Sequence, residues 1–102
     1  MTRITTHVLD TAAGHPAAGV PVTLAVAAAE GGWRALAEAM TDSDGRIDSL
    51  ADVGPGTCRL VFQTATPFFP EVVVTFTVPA GRAHLHVPLL ISPYGYSVYR
   101  GS

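Results

Sequence analysis

Glu71-Val72-Val73-Val74-Thr75-Phe76-Thr77-Val78 alternates. In an extended chain Val72, Val74, Phe76 and Val78 fall on one side, and Val73, Thr75 and Thr77 on the other. The same period of two runs through Thr57–Thr64, where Cys58, Leu60 and Phe62 oppose Arg59, Val61 and Gln63. It returns in Val20–Ala28, where Val22, Leu24 and Val26 oppose Thr23, Ala25 and Ala27. Three such segments rich in β-branched and aromatic residues predict an all-β protein.

Working outward, turn residues punctuate the chain at Gly14-His15-Pro16, Gly31-Gly32, Asp42-Ser43-Asp44-Gly45, Gly54-Pro55-Gly56, Pro79-Ala80-Gly81 and Pro93-Tyr94-Gly95. The segments between them read as strands at Ile4–Asp10, Val20–Ala28, Trp33–Thr41, Gly45–Ile47, Thr57–Thr64, Glu71–Val78, Arg82–Ile91 and Tyr96–Arg100. Eight short strands joined by tight turns predict an antiparallel β-sandwich. Ala25–Glu38 is rich in alanine, the best helix former. The Gly31-Gly32 pair in its middle fits the turn of a hairpin better than the interior of a helix.

The 102 residues make one domain, residues 1–102, with a single modest core. Hydrophobic residues are 48% and charged residues 14%, a balance opposite to that of disordered chains. So little charge implies that part of the surface is covered in an assembly. The six basic residues are all arginine, and the net charge of -2 without a basic run argues against nucleic-acid binding. No apolar run reaches the length of a membrane span. Cys58, the only cysteine, excludes an internal disulfide and a multi-cysteine metal site. A reduced, cytoplasmic protein is the expectation.

The polar residues able to carry chemistry are few. His7 shares a strand face with Thr5 and Leu9, and His84 and His86 share a face of the seventh strand. On spacing alone these are partly exposed strand histidines. A His-x-His zinc site lacks a supporting carboxylate or cysteine. Asp42-Ser43-Asp44-Gly45-Arg46 is a turn stabilised by local side-chain hydrogen bonds. The last residues, with Tyr94, Tyr96, Tyr99 and Arg100, are unusual for a terminus and predict a paired or interfacial tail. Leu89, Ile91, Tyr94 and Tyr96 are candidates for apolar surface outside the protomer core.

His7-Val8-Leu9-Asp10, Thr41-Asp42-Ser43-Asp44-Gly45-Arg46 and the run from His86-Val87-Pro88-Leu89-Leu90 to Tyr99-Arg100-Gly101-Ser102 together resemble the transthyretin-related 5-hydroxyisourate hydrolase family. The resemblance extends over the whole chain, and the final Tyr-Arg-Gly-Ser is its most specific element. It implies a transthyretin-like sandwich of two four-stranded sheets, assembled as a homotetramer, a dimer of dimers, with active sites between subunits. It further implies hydrolysis of 5-hydroxyisourate to 2-oxo-4-hydroxy-4-carboxy-5-ureidoimidazoline in urate breakdown, with no metal and no cofactor. By motif, the catalytic set is His7, Arg46, His86 and Ser102, with His7, Arg46 and Tyr99 binding substrate. Arg100 holds the tail, and His84 lies outside the innermost set. The connection Thr64–Pro70 is shorter than the family's, which often carries a short helix there.

These residue types suit the reaction. Neutral imidazole, with an ordinary pKa near ~6.5, can take a proton from water. Arginine is always cationic and offers a planar fork to a developing oxyanion. The division of acid and base roles between His7 and His86 is open at this level. The alternatives are a non-catalytic transthyretin-like carrier, which has no use for these side chains together, and an immunoglobulin-like structural domain.

Overall fold

The computed structural model describes residues 1–102 and contains nine strands and no helix. They are β1 (Thr2–Asp10), β2 (His15–Pro16), β3 (Pro21–Ala27), β4 (Trp33–Met40), β5 (Arg46–Val53), β6 (Gly56–Phe62), β7 (Val72–Val78), β8 (His84–Ser92) and β9 (Gly95–Val98). One sheet runs β4-β3-β6-β7, and all its pairings are antiparallel. The expected hairpin is present, with β3 paired to β4 and both Gly31 and Gly32 at positive φ in the turn.

The second sheet has five strands rather than four. β8 occupies one flank of β1 along Arg3–Asp10. The other flank is shared: β5 pairs with Thr2–His7, and the two-residue β2 pairs with Leu9 and Asp10. The sheet is therefore four lanes wide, with one lane made of two strands. A second departure is that β1 and β8 run parallel. They come from opposite ends of the chain, and the other sheet lies between them in sequence, which supplies the long crossover that parallel strands require.

β5 extends well beyond the three residues expected, Gly45–Ile47. Its buried residues are Ile47, Leu50 and Val53, a spacing of three that hides the alternation. The cause is a bulge: Ile4 faces Ala51 while Thr6 faces Ile47, so β5 takes four residue steps against two on β1.

Facing sides of the two sheets form the core, with Phe62, Leu60, Leu24 and Val22 from one sheet and Ile4, Val8, Leu85 and Leu89 from the other. Leu89 and Ile91 belong to this core, so the expectation that they supply interface surface is corrected; Tyr94 and Tyr96 are exposed. Leu85, Val87, Leu89 and Ile91 point inward together because they share one face of β8. Burial pushes the Cys58 thiol up from its ordinary value, consistent with a packing role. The compact Thr64–Pro70 connection is closed by the Thr64 and Thr66 hydroxyls, which both donate to the Phe69 carbonyl.

Candidate active site

The strands that bury Ile4, Thr6 and Val8 on one face necessarily present Arg3, Thr5 and His7 on the other. On β8, the same logic turns His84 and His86 away from the core. Register brings these sets side by side: Arg3 lies next to His84, and Thr5 next to His86. On the other flank of β1, His7 is paired with Arg46, the first residue of β5. Arg3, Thr5, Arg46, Asp48, His84, His86 and Ser102 line one open cleft of about 290 Å3, without a single hydrophobic residue.

The turn before β5 sets Arg46. Asp42 accepts hydrogen bonds at Oδ1 from the backbone N–H groups of Asp44 and Arg46, each at 2.9 Å. Gly45 adopts φ +75°, and a Cβ there would strike the Val8 carbonyl. The close approach delivers the Val8 N–H to the Gly45 carbonyl at 2.7 Å. The same turn orients His7, whose Nε2 lies 2.9 Å from the Asp44 carbonyl. A carbonyl only accepts, so Nε2 carries a proton, and Nδ1 is the ring nitrogen not engaged by the turn.

His86 is fixed from two sides. Its Nδ1 is 2.7 Å from the Thr5 hydroxyl. Its backbone carbonyl accepts from the Gly101 N–H at 2.8 Å, which binds the tail as an isolated bridge. The register from β9 is unbroken: Leu89 faces Val98, and three residues back His86 faces Gly101. The ladder lapses between them because Pro88 has no N–H to donate. Burial first, then the charge of Arg46 and the nearness of His7 and His84, push the His86 imidazole below its ordinary value of 6.5; Asp48 pulls the other way. His86 is thereby held neutral at working pH.

Four of the expected residues, His7, Arg46, His86 and Ser102, meet on this face. Tyr99 and Arg100 instead border a neighbouring cleft of about 230 Å3 lined largely by apolar side chains, including Val74, Phe76, Leu85, Val87 and Val98. Three cleft residues were absent from the expected set: Arg3, Thr5 and Asp48. Alternation along β1 from His7 points to Thr5 and Arg3, but the register that brings them to β8 is invisible in the sequence. His84 lies deeper in the site than expected, its Nε2 2.7 Å from the same Thr5 hydroxyl.

Residues 4–101 match the HIUase/Transthyretin family. The chain belongs to this family. The 5-hydroxyisourate hydrolase of Caulobacter vibrioides is 44% identical over 117 residues, covering all of both chains. Among solved structures, Klebsiella pneumoniae 5-hydroxyisourate hydrolase is 33% identical with a TM-score of 0.87, again over the full length of both. Sea bream transthyretin in complex with thyroxine is 30% identical with a TM-score of 0.91, covering 97% of this chain and 94% of that one. Within the HIUase/Transthyretin family the backbone therefore serves proteins of both kinds, and the cleft has to separate them.

Proposed function

We propose that this protein hydrolyses 5-hydroxyisourate to 2-oxo-4-hydroxy-4-carboxy-5-ureidoimidazoline, a step of urate degradation. The observation that carries the reading is the polar cleft: the imidazoles of His84 and His86 and the guanidiniums of Arg3 and Arg46 beside Ser102, with no apolar lining, and His7 adjoining it as the strand partner of Arg46. Such a surface suits a small, polar, oxidised purine and offers little to an apolar aromatic ligand.

In this reading His86, kept neutral, takes a proton from water at Nε2 as the water oxygen bonds to a ring carbonyl carbon. The carbonyl electron pair moves to oxygen, and the Arg46 guanidinium stabilises the charge. Collapse of that intermediate re-forms the carbonyl and breaks the C–N bond of the six-membered ring. The leaving nitrogen takes a proton from Nδ1 of a protonated His7, whose Nε2–H is committed to Asp44. Both histidines then re-equilibrate with solvent. The Ser102 hydroxyl orients the substrate from the tail. Tyr99 is assigned to the periphery of the substrate, as part of the segment that brings Ser102 to the histidines. The protein's own side chains supply each of these steps, and the reading includes no metal or cofactor.

The cleft is one open wall on the outer face of a sheet, so exclusion of water calls for a second copy. A homotetramer, a dimer of dimers with sites between subunits, is part of the proposal; exposed Tyr94 and Tyr96 and the apolar cleft beside Tyr99 supply surface for it. The lone buried thiol suits a reducing compartment, and a cytoplasmic location belongs to the same reading. Freshly generated 5-hydroxyisourate, followed by ultraviolet absorbance, tests the activity. Decay accelerated in proportion to protein is expected; decay at the spontaneous rate would refute it and favour a carrier.

A further inference from the structure

One hydroxyl group, that of Thr5, lies 2.7 Å from Nε2 of His84 and 2.7 Å from Nδ1 of His86. Thr5 itself is buried, and the two rings are 6.4 Å apart between centroids. A hydroxyl carries one proton and two lone pairs, so it cannot donate to both rings. With both rings neutral, it donates to one and accepts from the other. The two tautomers are then matched: His86 with Nδ1–H goes with a His84 that accepts at Nε2, and His86 accepting at Nδ1 goes with a His84 that donates from Nε2.

We propose that the Thr5 hydroxyl couples the tautomers of His84 and His86, and that Thr5 and His84 are positioning residues which keep Nε2 of His86 free as the base. This rests on the reaction proposed above. Only the first matched pair serves that reaction. There His86 donates Nδ1–H to Thr5, Thr5 donates to Nε2 of His84, and His86 turns a lone pair on Nε2 toward the cleft. Proton uptake at Nε2 then changes none of the hydrogen bonds. In the second pair His86 carries its proton on Nε2 and has no base to offer there.

The arrangement tolerates one extra proton but not two. If either ring is charged, the hydroxyl still donates to the other. If both are charged, both rings donate to the oxygen and the hydroxyl proton has no acceptor between them. The charged and titratable groups facing the pair are Arg3, His7, Arg46 and Asp48. Arg3 and Arg46 are always cationic, and their charge opposes that second proton.

The test uses the full-length protein, Thr5→Val, which keeps the shape and removes the hydroxyl, and Thr5→Ser, which restores it. Long-range 15N–1H NMR assigns the tautomer of each histidine without any substrate. The expected wild-type result is Nδ1–H on both His86 and His84. Thr5→Val is expected to move the His86 proton toward Nε2 and lower kcat by about 10²-fold, less than the ~10⁴-fold lost when a triad histidine is left in the wrong tautomer. KM is expected to change by less than about twofold, since binding is uniform between the two forms. Thr5→Ser is expected to recover most of kcat.

Unmatched tautomers in the wild type, or wild-type kcat in Thr5→Val, would overturn the proposal. The wild-type spectrum decides it even if Thr5→Val does not fold. A wild-type protein with matched tautomers but no effect on 5-hydroxyisourate would defeat the assigned reaction and the base role, while leaving the coupling itself in place.

Discussion

Replacing Gly101 by alanine puts a methyl carbon 2.7 Å from Cδ2 of His86 and 3.2 Å from its Cβ and Cγ. Carbon atoms pack at about 3.5–4.0 Å, so the tail or the imidazole has to move by about 1 Å. The ring is held by the Thr5 hydroxyl and the tail by the Gly101 N–H on the His86 carbonyl. If the tail yields, that hydrogen bond goes, at about 0.5–1.5 kcal/mol, and Ser102 leaves the cleft with it. If the ring yields, the proposed base His86 is displaced by about 1 Å, which can cost about 10²-fold in rate. Either way kcat should fall by about 10- to 100-fold, and Tm by no more than about ten degrees for a domain of this size. Gly95→Ala is the control, because a Cβ there meets nothing closer than Ser92 Oγ at 3.5 Å. Steady-state kinetics of ring opening and thermal unfolding of both variants form the assay. Gly101→Ala with the kcat and Tm of wild type would show that the tail does not seat His86, and the site as described would fail.

The remaining predictions concern charge, backbone and assembly. In the proposed mechanism His86 acts neutral, and its affinity for a proton is depressed, so the acid limb of kcat/KM should lie below pH ~6.5, with activity lost as pH falls through it. Arg46→Gln removes a positive neighbour, so that limb should move to higher pH while kcat drops by about 10²- to 10³-fold; a pH–rate profile checks both. Asp48→Asn removes the one influence that raises the His86 value, and the limb should move to lower pH. Gly45→Ala combines a positive φ with a collision on the Val8 carbonyl and should cost at least about 1–3 kcal/mol, read by denaturant unfolding. Specific activity measured down a dilution series alongside light scattering should fall as the oligomer dissociates; a fully active monomer would refute the shared site.

How much of this could be read from residues alone depends on which physical rule each feature obeys. β6 and β7 keep strict alternation, and β3 keeps it up to a register shift against β4 between Leu24 and Ala25; the positions of all three were legible to within a residue or two. The Gly31-Gly32 turn was legible because both positions require positive φ, which glycine alone adopts freely. β5 was mostly missed because its bulge changes the spacing of Ile47, Leu50 and Val53 to three. The parallel pairing of β1 and β8 was missed because strand direction is settled by packing between distant segments. The family motifs singled out His7, Arg46 and His86, which the fold brings near one another. Alternation from His7 places Thr5 and Arg3 on its face and nothing marks Asp48; all three become part of the site only through register with their neighbours.

That dependence on register has a further consequence. In β1, Ile4 and Val8 build the core with Thr6 buried beside them, while Arg3, Thr5 and His7 face outward on the side of the cleft; in β8, Leu85, Val87 and Leu89 turn inward, and His84 and His86 alternate with them on the other face. A one-residue slip in either strand would bury the histidines and expose the core. The hydrophobic effect therefore fixes the imidazoles against each other: burying four or five aliphatic side chains, at about 1.5–3 kcal/mol each, outweighs any preference of the polar cleft. Transthyretin and the hydrolases can share one backbone for this reason. The inward half of each strand specifies the fold, and the outward half is free to carry imidazole and guanidinium groups or an apolar lining without disturbing it.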